Sequence, residues 1–129
     1  MSTDLSMLVL LGLLSVLQAF PYTLALIAKF GLIKAMSYPQ PSHDGMAEWV
    51  QRSKNAHRNM VENIAPFAIL VIVANLTQTA NETTATWSMV FVACRVLMIL
   101  AHTFAIAFLR TLSWFTSLGA LVVILLQIV

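Results

Sequence analysis

This sequence predicts an all-α integral membrane protein, a bundle of four transmembrane helices. Three observations lead there. Sixty per cent of the 129 residues are apolar and only 9% are charged, where a soluble domain carries about a quarter charged residues. Seven basic and five acidic side chains cannot cover a soluble fold of this size with polar groups. The apolar residues also gather into four runs, and a helix of about 20 residues is enough to cross the hydrocarbon core.

The first run covers about residues 5–28. It is longer than the apolar region of a secretory signal, and Asp4 rather than a basic residue precedes it. It therefore reads as a retained helix with a kink at Pro21. From about 29 to 58 the chain is a polar loop, with Tyr38-Pro-Gln-Pro-Ser-His-Asp-Gly45 as its breaker-rich stretch. Helical composition resumes at Met46 and continues into the second span, about 60–77. Asn59, Glu62 and Asn63 then lie partly at membrane depth, which is costly unless they face protein or a polar cavity. Thr77–Thr86 is a short external turn. The third span covers about 87–109 and the fourth about 112–129. Together they make an apolar stretch of about 43 residues, too long for one crossing, with Arg110 as its natural break. Backbone groups in lipid must bond internally, so each span is an α-helix.

The charges set an orientation. Lys29, Lys34, Arg52, Lys54 and Arg58 lie between the first two spans and Arg110 between the last two, whereas the opposite side holds Asp4 and Glu82. The positive-inside rule puts both termini outside and the long loop in the cytoplasm. The lack of a basic tail after Gln127-Ile-Val129 points to a bacterial cell (inner) membrane. A net charge of +2, not clustered on a polar surface, argues against nucleic acid. The single Cys94 excludes an internal disulfide and a cysteine-cluster metal site. Inside an apolar run it reads as a small buried residue. Asn75-Leu-Thr and Asn81-Glu-Thr match the glycosylation pattern, but in too short a turn to carry weight.

The chemistry is concentrated in Arg52-Ser-Lys-Asn-Ala-His-Arg-Asn-Met-Val-Glu-Asn-Ile-Ala-Pro-Phe67. At about 100° per residue, Arg52, Asn55, Asn59, Glu62 and Pro66 share a sector of roughly 80°. That face presents a cation, two amides and a carboxylate at the cytoplasmic mouth of the bundle. Such a set suits a small zwitterion: Arg takes a carboxylate with a planar fork, Asn takes amides, Glu takes an ammonium. Without a ligand, the same face is a solvated helix end with interhelical hydrogen bonds. On the third span Arg95 and His102 share a face, and an intramembrane Arg and His point into the bundle. Glu62 is the obvious ion-pair partner for Arg95, and His102 is a core histidine or a ligand. Arg110 stands at the end of the third span, level with Arg52 and Asn59. There it either favours a bound thiolate or anchors the helix at the interface.

The run Ala56-His-Arg-Asn-Met-Val-Glu-Asn-Ile-Ala-Pro-Phe67 resembles the signature entering the second span of the MAPEG family, the membrane-associated proteins in eicosanoid and glutathione metabolism, which include the microsomal glutathione transferases. The four spans, the long polar loop, Arg95 within the third span and the Leu109-Arg110 pair extend the resemblance over essentially the whole chain. It implies a homotrimer with glutathione, as co-substrate, bound between neighbouring protomers near the cytoplasmic side. Asn59 and Glu62 match positions that contact glutathione, and His57 matches a polar position that often does. Arg110 matches the arginine that stabilises the glutathione thiolate, and Lys29 stands in for a basic residue ending the first span.

Two departures stand out. Asn55 occupies a position where glutathione-using members commonly carry a second arginine, and the third span has Leu97 and His102 where tyrosines are common. The resemblance implies a membrane-embedded, glutathione-dependent transferase or peroxidase acting on a hydrophobic small-molecule substrate reached through membrane lipid. The alternatives are a non-catalytic protein of the same fold, binding lipid or a small anion or serving as a structural subunit, and an unrelated small transporter.

Overall fold

The computed structural model describes residues 1–129 and contains only helices. In chain order these are α1 (Thr3–Phe30), α2 (Leu32–Ala35), α3 (Glu48–Leu76), α4 (Glu82–Thr103) and α5 (Ala107–Ile128). Four of them, α1, α3, α4 and α5, are long and apolar enough to cross a membrane. The short α2 lies at the start of the polar loop. The chain is thus an integral, multi-pass membrane protein.

Local chemistry fixes the helix ends. The Ser2 hydroxyl caps α1, accepting from the amide of Leu5 at 3.3 Å and donating to Asn75 Oδ1 at 2.9 Å. That second bond ties the start of α1 to the end of α3. At the other end of α1, Gly31 takes φ +85°, a conformation open to glycine. Asn81 and Thr84 form a reciprocal capping box at the start of α4.

Both remaining turns close with the same hydrogen-bond pair, and neither uses glycine. After α3, Thr79 N–H bonds the Ala74 carbonyl at 2.9 Å and Gln78 N–H bonds the Asn75 carbonyl at 3.3 Å, with Gln78 at φ +60°. After α4, Ile106 N–H bonds Ala101 at 2.9 Å and Ala105 N–H bonds His102 at 3.4 Å, with Ala105 at φ +55°. This is the Schellman closure, in which a left-handed residue turns the chain while satisfying the last carbonyls.

The second of these turns corrects the sequence expectation. The hairpin between the third and fourth spans falls at Phe104-Ala105-Ile106, and Arg110 sits in the first turns of α5 rather than at the end of the third span. The turn is built from apolar residues, so hydropathy shows no break there, and the charge of Arg110 pulls the expected boundary along the chain. The polar stretch before the second span is helical from Glu48 onward, close to the Met46 expected, so α3 runs from the loop into the membrane without interruption.

α3 and α4 form the centre of the bundle. α1 packs on both, α5 packs on both, and α1 and α5 do not touch each other. The core comprises Leu11, Met60, Phe67, Val71, Phe91, Val92, Ala120, Leu121 and Ile124. At its middle the rings of Phe67 and Phe91 stack 4.4 Å apart and 7° from parallel. Large apolar side chains such as Leu13, Val16, Leu17 and Phe20 on α1, with Phe108, Leu112 and Phe115 on α5, face outward. In water that surface would aggregate; in a bilayer it is the solvated surface.

Candidate functional site

Arg95 is the largest fully buried side chain, 1% exposed in the middle of α4. Its Nη1 donates to Asn59 Oδ1 at 2.7 Å and its Nη2 to the Ser117 hydroxyl at 2.6 Å. Its Cζ lies 5.4 Å from the Phe91 ring centroid. One guanidinium therefore joins α3, α4 and α5. The expected ion pair with Glu62 is absent: Glu62 is exposed on α3, and the one salt bridge in the chain is Arg52–Glu48 at 3.4 Å. The geometry of a helix explains this. Asn59 lies a turn before Glu62, on the part of the face that meets α4, whereas Glu62 is exposed on the surface of the bundle.

Next to this buried link two adjoining recesses open between α3, α4 and the start of α5. One, of about 220 Å³, is lined by Arg52, Asn55, His102 and Arg110 together with apolar residues in and beside the α4–α5 turn. The other, of about 320 Å³, is lined by Asn59, Met98, His102, Arg110, Thr111 and Trp114. His102 and Arg110 belong to both. Five residues singled out from the sequence, Arg52, Asn55, Asn59, His102 and Arg110, thus border one polar groove.

The donors in this groove are largely uncommitted. Arg110 has no carboxylate partner. Arg52 reaches Glu48, whose side chain is 91% exposed, so the pair is weak. The Nε of Arg52 is buried without a hydrogen-bond partner. His102 donates from Nδ1 to the Met98 carbonyl at 2.9 Å, which leaves Nε2 to face a ligand as an acceptor in the neutral ring. Asn59 has its oxygen held by Arg95 and keeps its amide protons free to donate. Two amides, an arginine with no acid partner and a second paired only with an exposed carboxylate make an anion-binding surface.

The remaining expected residues lie elsewhere. His57 faces α1, with its Nδ1 hydrogen-bonded to the Tyr22 hydroxyl at 2.6 Å. Lys29 reaches the Gly45 carbonyl at 3.5 Å. Around Tyr22 the loop is docked onto the bundle. Nε2 of the buried His43 donates to the Tyr22 carbonyl at 3.3 Å, while its Nδ1 accepts from Lys54 at 3.3 Å. His57 and Lys29 thus belong to the α1 side, away from the groove, and Glu62 is exposed and lines neither recess.

Ser117, Thr111 and Trp114 join the site beyond the residues expected from the sequence. Ser117 carries a readable signal once the turn is placed correctly, because Arg95 and Ser117 stand equally far from Ile106 along an antiparallel hairpin and so share a level.

Comparison with known proteins agrees with this architecture. No curated protein and no solved structure matches the chain. A family sequence model matches residues 5–129, essentially the whole length, and the chain belongs to the MAPEG family.

Proposed function

We propose that this protein is a membrane-embedded, glutathione-dependent transferase or peroxidase acting on a hydrophobic electrophile. The observation that carries the reading is the convergence of Arg52, Asn55, Asn59, His102 and Arg110 on one groove where Arg110 has no acid partner and Arg52 only the exposed Glu48. That donor set fits a small tripeptide with two carboxylates, a thiol and amide groups. Arg52, with a free Nε, and the amides of Asn55 and Asn59 would hold carboxylate and peptide oxygens. Arg110, common to both recesses, would place its positive charge beside the sulfur and favour the thiolate. Trp114 and Met98 give the groove an apolar wall that suits a lipid-soluble partner. Glutathione, when bound, supplies a thiolate that attacks an electrophilic carbon, or the electrons that reduce a hydroperoxide. The chain's own contribution is positioning and fixed charge.

The split of the expected residues over two faces supports assembly as a trimer. In a cyclic trimer each protomer offers two different faces to its neighbours. Glutathione bound between protomers would meet Arg52, Asn55, Asn59 and Arg110 of one and His57 and Lys29 of the next, with exposed Glu62 near the seam. The basic end of the bundle would face the cytoplasm.

A non-catalytic reading, in which the groove binds lipid or another small anion or the chain is a structural subunit, rests on Asn55 and on the absence of any tyrosine from α4. Thiolate absorbance of glutathione separates the two. The enzyme should lower the pH at which that absorbance appears, and Arg110→Ala should raise it again. An absorbance identical to that of free glutathione would favour the non-catalytic protein.

A further inference from the structure

On the other side of the α3–α4 contact, a second cleft of about 240 Å³ lies between α1, α3 and α4. It shares no residue with the groove. Gln18 and Pro21 line it from α1, Trp49, Ser53 and Ala56 from α3, and Ile99 and Thr103 from α4. We infer that this cleft binds a small neutral amphiphile, an alcohol or similar molecule with one hydrogen-bonding oxygen on a short apolar body.

Gln18 stands on the α1 wall of the cleft. Its side chain is 9% exposed and its Oε1 is buried with no partner. Its nitrogen makes no hydrogen bond to the protein but is not buried, so the unpaired buried atom is the oxygen. Buried polar groups are paired in nearly all native structures, and each exception asks for a partner that the protein itself does not supply. Lining the same cleft, the Ser53 hydroxyl is also unpaired. Thr103 donates to the Ile99 carbonyl at 2.8 Å and keeps its lone pairs for a donor. These groups offer both donors and acceptors, which a hydroxyl satisfies at once.

The rest of the lining limits the ligand. Trp49, Pro21, Ala56 and Ile99 are apolar, and no charged side chain borders the cleft, so an anion or cation would find no counter-charge. An apolar pocket with a few convergent polar groups is the usual form of a small-molecule site. At about 30 Å³ for each water in the liquid, 240 Å³ holds roughly eight waters, which is near the size of an eight-carbon alcohol. The site stands whether or not glutathione occupies the groove.

Trp49 reports on the cleft directly. With Trp87 and Trp114 replaced by Phe in detergent-purified full-length protein, 8-bromooctan-1-ol should quench Trp49 fluorescence saturably. Unbrominated 1-octanol should compete, and 8-bromooctanoate should bind at least several-fold more weakly. Gln18→Leu should weaken the alcohol several-fold, and Ser53→Leu, which fills the cleft from α3, should abolish saturation with helicity unchanged. Quenching that rises linearly and ignores both variants would overturn the site, since it reports partition into detergent over a cleft holding only water. Equal or stronger binding of the octanoate would overturn the neutral ligand class.

Discussion

Arg95 on α4 holds the side-chain oxygen of Asn59 on α3 at 2.7 Å, and this bond links the buried centre of the bundle to the wall of the groove. Arg95 therefore acts on the site through position. It fixes which end of the Asn59 amide faces the groove, so a ligand meets the amide protons.

Arg95→Met should be the most damaging conservative-volume change in the bundle. It leaves Asn59 without its donor and removes the bond to Ser117. Hydrogen bonds to charged groups are worth about 1.5–3 kcal/mol in soluble proteins, and cross-helix bonds in membranes average nearer 0.6 kcal/mol. A loss on the order of 1–3 kcal/mol is expected, read as a lower unfolding midpoint in mixed detergent. Arg95→Lys should not restore it, because a single ammonium lacks the planar fork that spans two acceptors.

Glu62→Gln should leave protomer stability within about 0.5 kcal/mol, as for other exposed substitutions. A double-mutant cycle should show coupling between Arg95 and Asn59 and none between Arg95 and Glu62. Strong coupling to Glu62 would mean that the exposed carboxylate swings inward.

Ala105→Gly should stabilise the α4–α5 hairpin. Ala105 holds φ +55°, a conformation costing an L-residue about 1 kcal/mol and glycine almost nothing. An upward shift in the unfolding midpoint checks it, and Ala105→Val should shift it down.

Much of the fold was legible in the sequence, and the hairpin shows where legibility ended. Four apolar runs and a polar loop rich in Pro and Gly are signals of composition, and lipid makes composition decisive. The α4–α5 turn gives no such signal: Phe104, Ala105 and Ile106 are as apolar as the helices they join, and the left-handed residue is alanine rather than glycine. The site was legible in part for a related reason. Helical periodicity shows that Arg52, Asn55 and Asn59 share a face, but not where on that face the next helix packs. Hence Asn59 meets Arg95 while Glu62, a turn further on, does not. His57 sits next to Ala56 in sequence, yet one helical step turns it toward Tyr22 on α1.

Mixed assemblies test whether the two faces form one site. Lys29→Ala and Arg110→Ala each remove a residue from a different face. If glutathione binds between protomers, each homogeneous assembly should lose affinity, and a random equal mixture should recover about a quarter of the sites. No recovery on mixing would place both residues in a site within one protomer, or leave Lys29 outside it.

The most direct measurement is glutathione titration of the detergent-purified protein by calorimetry, with Arg110→Ala alongside. Saturable binding that Arg110→Ala weakens about tenfold or more is the expected result, the loss of one charge-assisted contact being worth about 1.5–3 kcal/mol. No heat of binding at millimolar glutathione, or binding that Arg110→Ala leaves unchanged, would contradict the assignment of the groove between α3, α4 and α5 as a glutathione site.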